Sequence, residues 1–217
     1  CKENKIILFE DNCESLGAKL KNKYTGTFGF ASSTSFFYSH HISTIEGGMV
    51  LTNDNELNIL LKQIRAHGWT RDTTNIKTKK KEYNFVIPGM NLRPTEINAA
   101  IGIQQLKKLN QIVSIKRKNF LIYYDLFKDS KYLDIIQENG ENSSFVLPFI
   151  IKNHYKKYLP LIKKVLKKYN VETRLIAGGS FLKHPYSKFF NIRKIGKLSN
   201  SDYIHDYGFV IGNHPKD

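Results

Sequence analysis

Cysteine is scarce in this sequence, with Cys1 and Cys13 as the two thiols among 217 residues. Their spacing is too wide for a C-x-x-C pair, and two cysteines build neither a disulfide framework nor a thiolate metal site. So little cysteine is typical of a reduced, cytoplasmic protein. The sequence therefore predicts no metal centre.

Long apolar runs are missing as well. No stretch of about 18 apolar residues occurs, so we expect neither a transmembrane helix nor a membrane partner. The chain starts at Cys1 without a signal peptide, and we interpret it as a fragment of a longer protein. A hydrophobic fraction of 41%, with 14 Phe and 12 Tyr, still indicates a packed globular core.

Acidic residues are few, since 19 Asp and Glu stand against 34 Lys and Arg, and the net charge is +15. Such a charge raises nucleic-acid binding as an alternative function. However, the lysines are scattered, and the cluster at residues 77–81 has no aromatic side chains interleaved with it. We interpret the charge as a solvated surface that can also steer an anionic ligand, and we expect no nucleic-acid partner.

Two strand-like segments end in polar residues that suit chemistry. Residues 5–10 indicate a buried strand of a parallel sheet, and Asp11 follows at its carboxyl end. Residues 34–38 indicate a second strand, which leads through a turn containing His40 to a third strand at residues 49–52. Because α/β folds bind ligands at the carboxyl ends of strands, we expect Asp11 and His40 to converge at one edge of a sheet.

The remaining elements follow from hydrophobic periodicity and from capping residues. A long polar loop is predicted over residues 69–82, and the helix at 95–109 is expected to bury an apolar stripe containing Ile97 and Leu106. Three further helices are predicted: one starts at Asp54, one covers residues 113–127 and one covers residues 158–169. Two further strands are predicted over residues 145–151 and 171–175.

Residues 35–48 contain a pattern of fixed positions around His40, namely Ser35, Phe36, Ile42, Glu46, Gly47 and Gly48. These six positions match the segment S-F-x-x-x-K-x-[IL]-x-x-x-E-G-G, and His40 stands where that segment has lysine. The pattern resembles the cofactor-lysine segment of the DegT/DnrJ/EryC1/StrS family of sugar aminotransferases.

This resemblance implies an α/β fold like that of aspartate aminotransferase, which is fold type I of the pyridoxal-phosphate enzymes. Residues 1–115 would be the C-terminal part of a three-layer αβα cofactor domain, and residues 116–217 a truncated, smaller α+β domain. The resemblance also implies a homodimer with shared active sites.

The histidine is the informative departure from the family pattern. An imidazole cannot form the covalent bond that a lysine amine makes with pyridoxal phosphate. Within the family, a lysine-to-histidine change marks a branch of sugar 3-dehydratases. The resemblance therefore implies a non-covalently held cofactor that works as pyridoxamine phosphate, with His40 as the proton shuttle.

The resemblance also assigns four residues to the cofactor. Asp11 would face the pyridine nitrogen and keep it protonated, so that the ring acts as an electron sink. Glu14 and Ser35 would be neighbours of the cofactor. Asn91, in a segment similar to the family motif G-Y-N-x-R-x-x-E, would reach the cofactor phosphate of the other subunit.

Three further residues are candidates for binding the nucleotide sugar. Arg71 lies in the predicted polar loop, and Arg174 offers the planar fork that suits phosphate. Ser180 belongs to residues 178–185, which look like the substrate-side loop of the dehydratase branch. The alternative interpretation of residues 178–185 is an ordinary loop, with Arg174 in a structural role.

The implied reaction is the 3-dehydration of a nucleotide-linked 4-keto-6-deoxyhexose, with GDP-4-keto-6-deoxymannose as the expected substrate and glutamate as the amino donor. Its product would be a 4-keto-3,6-dideoxy sugar for lipopolysaccharide O-antigen. A conventional sugar aminotransferase is an alternative, but this chain lacks the lysine. A CDP-sugar 3-dehydrase is another, but the iron–sulfur cluster of that branch needs cysteines that are absent here.

Overall fold

The computed structural model describes residues 1–73 and 83–215. The chain divides into two compact units, Cys1–Gln111 and Ile112–Asp217, which we call unit 1 and unit 2. Their assignment as cofactor domain and small domain stays a prediction. The basic cluster at residues 77–81 and most of the loop predicted over residues 69–82 lie outside the described residues.

The strands of unit 1 are β1 (Phe9–Asp11), β2 (Lys19–Leu20), β3 (Lys23–Tyr24), β4 (Ala31–Ser35) and β5 (Gly48–Thr52). Three of them form a mixed sheet with the order β1-β4-β5, in which β1 runs parallel and β5 antiparallel to β4. A short antiparallel pair, β2 with β3, lies between β1 and β4 in the chain. Part of each of the three predicted segments lies in the sheet, but the prediction of a strand over residues 34–38 is wrong in its bounds. Residues 36–38 lie outside β4, because the backbone enters a turn in which the N–H of His40 donates to the carbonyl of Phe37.

The first predicted strand is too long at its start. Residues 5–8 are not part of β1, and Ile6 and Ile7 are 60% and 64% exposed. The reason is local, because the N–H groups of Asn4 and Ile6 both donate to the carbonyl of Cys1, and Lys5 adopts a positive φ of 52°. This turn delays the extended backbone until Phe9.

Two helices of unit 1 begin at side-chain caps. α1 (Asn55–Arg65) starts after Asp54, whose Oδ1 accepts the N–H of Leu57 at 2.7 Å. α2 (Glu96–Leu106) starts with a capping box between Thr95 and Asn98. The buried stripe predicted for α2 is wrong, because none of its side chains is buried and Ile97 and Leu106 are 70% and 60% exposed. In the described part of the chain no layer covers this face of the helix.

Unit 2 is an antiparallel sheet with strand order β6-β7-β9-β8, accompanied by helices. Burial alternates along β7, so that Leu147, Phe149 and Ile151 face the core while their neighbours are partly exposed. Phe120 of α3 and Phe209 of β9 belong to the same core cluster. The elements are α3 (Leu109–Phe127), β6 (Leu133–Ile135), β7 (Val146–Ile151), α4 (Leu159–Lys168), β8 (Thr173–Arg174), α5 (Ser199–Tyr207) and β9 (Gly208–Gly212).

Within residues 1–73 and 83–215, no helix is both long enough and apolar enough to cross a membrane.

Candidate functional site

The carboxyl ends of β1 and β4 form the edge of the sheet at which polar side chains gather. Asp11 is the last residue of β1, and Ser35 is the last residue of the parallel strand β4. His40 follows in a turn, where its N–H donates to the carbonyl of Phe37 at 3.0 Å. The half-buried imidazole lies with its ring centre 5.9 Å from that of Phe37. The charge of His40 acts on the Asp11 carboxyl, which supports the shared site expected from the sequence, and that shared site stays a prediction.

Asp11 is held as an exposed, ionised carboxylate. Hydrogen bonding from the Cys13 side chain and from the Cys13 N–H, which lies 3.1 Å from Oδ1, lowers the pKa of the Asp11 carboxyl. A bond from Ser33 and the nearby charge of His40 act in the same direction and outweigh the effect of burial. A fixed negative charge open to solvent suits a cationic ring N–H, so the residues fit the pyridinium of a pyridoxal cofactor.

The turn that carries His40 belongs to a loop closed by its own backbone. The N–H of Phe36 donates to the carbonyl of Gly47, and the N–H of Thr44 donates to the carbonyl of Phe36, each at 2.9 Å. Gly47 has a φ of +152°, and a Cβ there would lie 2.5 Å from Thr44 Oγ1. The glycine is thus required by a close approach, and the loop is short of room for a larger residue.

Asn98 holds this loop from outside, and its role was missed from the sequence. Its Nδ2 donates to the carbonyl of Thr44 at 2.7 Å and to that of Glu46 at 3.3 Å, while its Oδ1 accepts the N–H of Thr95. One amide therefore caps α2 and fixes the loop of His40. The spacing Thr95-x-x-Asn98 predicts the cap, but nothing in the sequence marks the contact 54 residues away.

Glu10 is the second residue that sequence reasoning missed. Its carboxylate accepts three backbone N–H bonds, from Gly26 at 2.7 Å and from Phe28 and Gly29 at 2.6 Å each. Burial acts to raise the pKa of the Glu10 carboxyl, but the three N–H donors and the charge of Lys23 hold it below its usual value. Glu10 thus fixes the loop that leads into β4.

The other candidates of unit 1 lie in exposed positions. Glu14 is exposed in the turn after β1. Asn91 is exposed and forms a bridge with Ala66, just after the end of α1. Arg71 is exposed as well, and its guanidinium lies 5.1 Å from the ring centre of Trp69. The binding roles of these three residues remain predictions.

Arg174 and Ser180 belong to unit 2. Arg174 is exposed in β8 and forms a 2.9 Å ion pair with Glu172. Ser180 is only 5% exposed, and its N–H donates to Nδ1 of His205 at 3.0 Å. Their proposed contacts with a nucleotide sugar also remain predictions. Among residues 1–73 and 83–215, no group of three or more His, Cys, Asp or Glu side chains could hold a metal ion.

Comparison with family models identifies the class of protein that this fold and this sheet edge define. The model of the DegT/DnrJ/EryC1/StrS aminotransferase family matches residues 1–216. The chain belongs to this family. The aminotransferase fold predicted from the sequence is thereby confirmed. The Helicobacter pylori aminotransferase PseC shares it, with a TM-score of 0.85 at 26% identity, covering 100% of this chain and 56% of the other.

Sugar dehydratases are among the similar proteins. The chain is 44% identical to the GDP-4-keto-6-deoxy-D-mannose 3-dehydratase of Escherichia coli O55:H7, over 96% of this chain and 56% of that protein. It superimposes with a TM-score of 0.94, at 42% identity, on the E. coli enzyme with bound hydrated PLP, covering 100% of this chain and 58% of the other. A GDP-4-keto-6-deoxymannose-3-dehydratase with a trapped PLP-glutamate geminal diamine gives a TM-score of 0.93 at 42% identity, covering 98% and 57%.

The chain spans a little over half the length of the relatives that it matches, while nearly all of its own residues are included.

Proposed function

We propose that the full-length protein is a pyridoxal/pyridoxamine-phosphate-dependent 3-dehydratase that acts on GDP-4-keto-6-deoxymannose. The observation that carries the proposal is His40, which stands at the lysine position of the family segment and at the sheet edge that also holds the carboxylate of Asp11. The relatives of 42–44% identity are named as enzymes of this activity.

The arrangement suits a cofactor bound without a covalent link. Pyridoxal phosphate and its pyridoxamine form, when bound, supply an amine that reacts with a sugar ketone and a ring that withdraws electrons. Asp11 would accept a hydrogen bond from the ring nitrogen through a carboxylate that Cys13 and Ser33 orient. Ser35 at the end of β4 and Glu14 in the turn after β1 would line the same cofactor site.

His40 is the proposed general base and acid. Its imidazole would take a proton from the carbon adjacent to the ring of the bound cofactor, and it would then donate a proton to the departing C3 hydroxyl of the sugar. The closed loop of residues 36–47 and the ring of Phe37 restrict the imidazole to one region. Such restriction favours catalysis, since it removes the entropy of orienting the base.

Glutamate is the proposed amino donor. It gives up two electrons as it becomes 2-oxoglutarate and ammonia, which balances the replacement of the C3 hydroxyl by hydrogen. A related dehydratase structure is named for a trapped PLP-glutamate adduct, which supports this choice. Arg71, Arg174 and Ser180 are the residues of this chain that we propose for the nucleotide sugar.

A homodimer with shared active sites is part of the proposal. Asn91 would face the cofactor phosphate of the partner subunit. The helix that follows leaves Ile97, Ile103 and Leu106 exposed, and exposed apolar side chains of this kind support an interface near Asn91. We also propose a cytoplasmic location, where the free thiols of Cys1 and Cys13 stay reduced.

Product analysis of the full-length protein tests the reaction. With glutamate, pyridoxal phosphate and GDP-4-keto-6-deoxymannose, we expect a sugar nucleotide lighter than the substrate by one oxygen atom, together with 2-oxoglutarate and ammonia. An amino sugar nucleotide without ammonia release would instead identify a conventional aminotransferase. Turnover of the CDP-linked sugar in preference to the GDP-linked one would contradict the proposed substrate.

A further inference from the structure

The loop at residues 178–184 of unit 2 is fixed by one histidine of α5. Nδ1 of His205 lies 3.0 Å from the backbone nitrogen of Ser180. A backbone N–H can only donate, so this ring nitrogen must be the acceptor, and His205 must be neutral with its proton on Nε2. Ser180 itself is almost fully buried, at 5% exposure.

Glycine at position 179 lets the imidazole lie directly against the loop. Gly179 has a φ of +87°, and a Cβ there would come within 2.3 Å of His205 Nδ1. On the same loop, Nε2 of His184 lies 2.7 Å from the carbonyl oxygen of Gly178, and its ring centre lies 5.8 Å from that of His205. Two imidazoles therefore contact three successive loop residues.

The residue after His205 holds the other end of the loop. Both carboxylate oxygens of Asp206 lie 2.7 Å from Nζ of Lys183. Hydrogen bonding from Lys183 is the main reason why the pKa of the Asp206 carboxyl is lowered. His205 and Asp206 thus hold the loop in two ways, His205 by accepting the N–H of Ser180 and Asp206 by its ion pair with Lys183. Protonation of His205 would break only the bond to Ser180.

We propose that His205 is a positioning residue for the nucleotide-sugar site, and that its protonation releases Ser180 and weakens sugar binding as the pH falls. This inference rests on the proposed function, in which the loop of Ser180 contacts the nucleotide sugar. His205 acts through the loop backbone rather than on the reacting atoms. Protonation converts Nδ1 from an acceptor into a donor that faces the N–H of Ser180.

Charged and titratable groups lie close to His205. Asp206 follows it in α5 and is acted on by Lys183, His205 and Lys156. The ring of His184 is centred 5.8 Å from that of His205. The ion pair of Lys183 with Asp206 keeps the loop attached after the bond to Ser180 is lost.

Two amide substitutions distinguish the loss of the hydrogen-bond acceptor for Ser180 from the protonation of His205. In His205→Asn, the side-chain oxygen stands where Nδ1 stands and cannot be protonated in this pH range. In His205→Gln, the amide reaches the place of Nε2 instead, so the acceptor for Ser180 is lost. The exposed His154, in the turn Asn153–Tyr158, provides the matched control His154→Asn.

Hydrogen exchange of the Ser180 amide in the full-length protein tests the contact without any reaction. After correction for intrinsic rates, we expect wild-type protection to fall about five-fold between pH 8 and pH 5.5. The His205→Asn variant should keep its protection at both values, and His205→Gln should lack it at both. Equal protection in all three proteins would overturn the role of His205.

Kinetics then test the consequence for the sugar. Relative to wild type at pH 8, His205→Gln should raise KM for GDP-4-keto-6-deoxymannose about five-fold with kcat unchanged, and His205→Asn should abolish the rise of KM at low pH. The conversion of bound pyridoxal phosphate by glutamate alone should be the same in every variant. An unchanged KM in His205→Gln would overturn the proposal.

The two hypotheses fail in different ways. A wild-type protein that reacts with neither glutamate nor the sugar would contradict the proposed function, while hydrogen exchange would still decide whether His205 holds the loop. A protein that turns over the sugar, with Ser180 protected to the same degree in all variants, would contradict only the role of His205.

Discussion

Units 1 and 2 are stabilised by different interactions. In unit 1 the buried apolar residues are small or few, and polar side chains share the interior with them. In unit 2 aromatic and branched side chains pack into one cluster. Unit 1 buries Ala18, Ala31, Ile42 and Ala66 beside Asn12, Ser32, Thr34, His41 and Thr44, whereas the cluster of unit 2 contains Phe120, Leu147, Phe149, Ile151, Leu159, Phe209 and Ile211.

The polar interior of unit 1 is related to the loop of His40, which this unit holds in place. The polar side chains of unit 1 bond to loop backbone, as Glu10 and Asn98 do, and such bonds are directional enough to place an imidazole. Its sheet also leaves apolar residues uncovered, with Met49 and Val50 of β5 49% and 50% exposed. Unit 2 resembles an ordinary packed core, so its stability should depend on buried volume, and that of unit 1 on hydrogen bonds.

The largest effect is expected from His40→Asn, which removes the proton shuttle from unit 1 and leaves its backbone contacts in place. Turnover should fall about 1,000-fold. Cofactor retention after gel filtration, measured by absorbance, should be preserved because Asp11 remains. The exposed His67, which has a φ of +63°, gives the control His67→Asn, since asparagine tolerates that backbone conformation.

His40→Lys sharpens the same test. A lysine amine can bond covalently to pyridoxal phosphate, so borohydride should trap a cofactor adduct in this variant and not in wild type. Dehydration should weaken, because part of the cofactor is tied up and the shuttle has a different pKa. Full activity in the asparagine variant would leave the turn of His40 with a structural role only.

In unit 2, Phe149→Ala should lower the free energy of unfolding by about 3 to 5 kcal/mol, since it opens a cavity in the core. Phe149 is 4% exposed and contacts the rings of Phe127 and Phe209, at 5.3 and 5.5 Å between ring centres. Phe189, at 78% exposure, is the matched control, and Phe189→Ala should cost under about 0.5 kcal/mol. Equal losses in urea unfolding would contradict the packed core.

Glu10→Gln tests the hydrogen-bonded character of unit 1. The amide nitrogen cannot accept, so the N–H of Gly26 or those of Phe28 and Gly29 lose their partner, and stability should fall by about 1 to 2 kcal/mol. The pKa of Glu10 is lowered on folding, so the wild-type advantage should be complete above pH 4.5 and should shrink as the pH falls further.

Melting temperatures of both proteins from pH 7 down to pH 3 measure this effect. The control is Glu56→Gln, an exposed carboxylate in the first turn of α1. A difference between wild type and Glu10→Gln that is independent of pH would show that the carboxylate charge does not stabilise the loop.

The sequence was informative where the cause of structure is local. Asp54 accepts the N–H of Leu57 three residues away, and so the start of α1 could be predicted. The apolar run that ends in Asp11 likewise predicted a strand there, and Asp11 is the last residue of β1. The contacts of Glu10 and Asn98 span 16 to 19 and 52 to 54 residues, and such distances leave no periodic signal in a sequence.

The exposed side chains of α2 show a related limit. The sequence correctly predicted a helix, but Ile97 and Leu106 lie nine residues apart, on opposite sides of it, and a helical pattern does not identify what covers an apolar side chain. In the described chain Ile97 and Leu106 are uncovered, so burial predicted from one helix depends on protein elsewhere.

The last effect concerns Lys116, a charge inside the packed unit. Lys116 is 4% exposed, and its Nζ donates to the carbonyl of Asn213 at 2.5 Å. Burial lowers the pKa of its ammonium from 10.5 to about 8. Between these two values the unfolded chain binds a proton that the folded chain does not, so stability should rise with pH across this interval and be lowest below pH 8.

Lys116→Met keeps the length of the side chain and removes the charge. It should therefore abolish a rise of about 3 kcal/mol between pH 8 and pH 10.5, while the unpaired carbonyl of Asn213 costs about 1 to 2 kcal/mol at every pH. Melting temperatures over this interval measure the slope, and the exposed Lys164→Met in α4 should retain it. The same slope in both variants would mean that Lys116 keeps its proton despite burial, and that the interior of unit 2 is more polar than its aromatic cluster indicates.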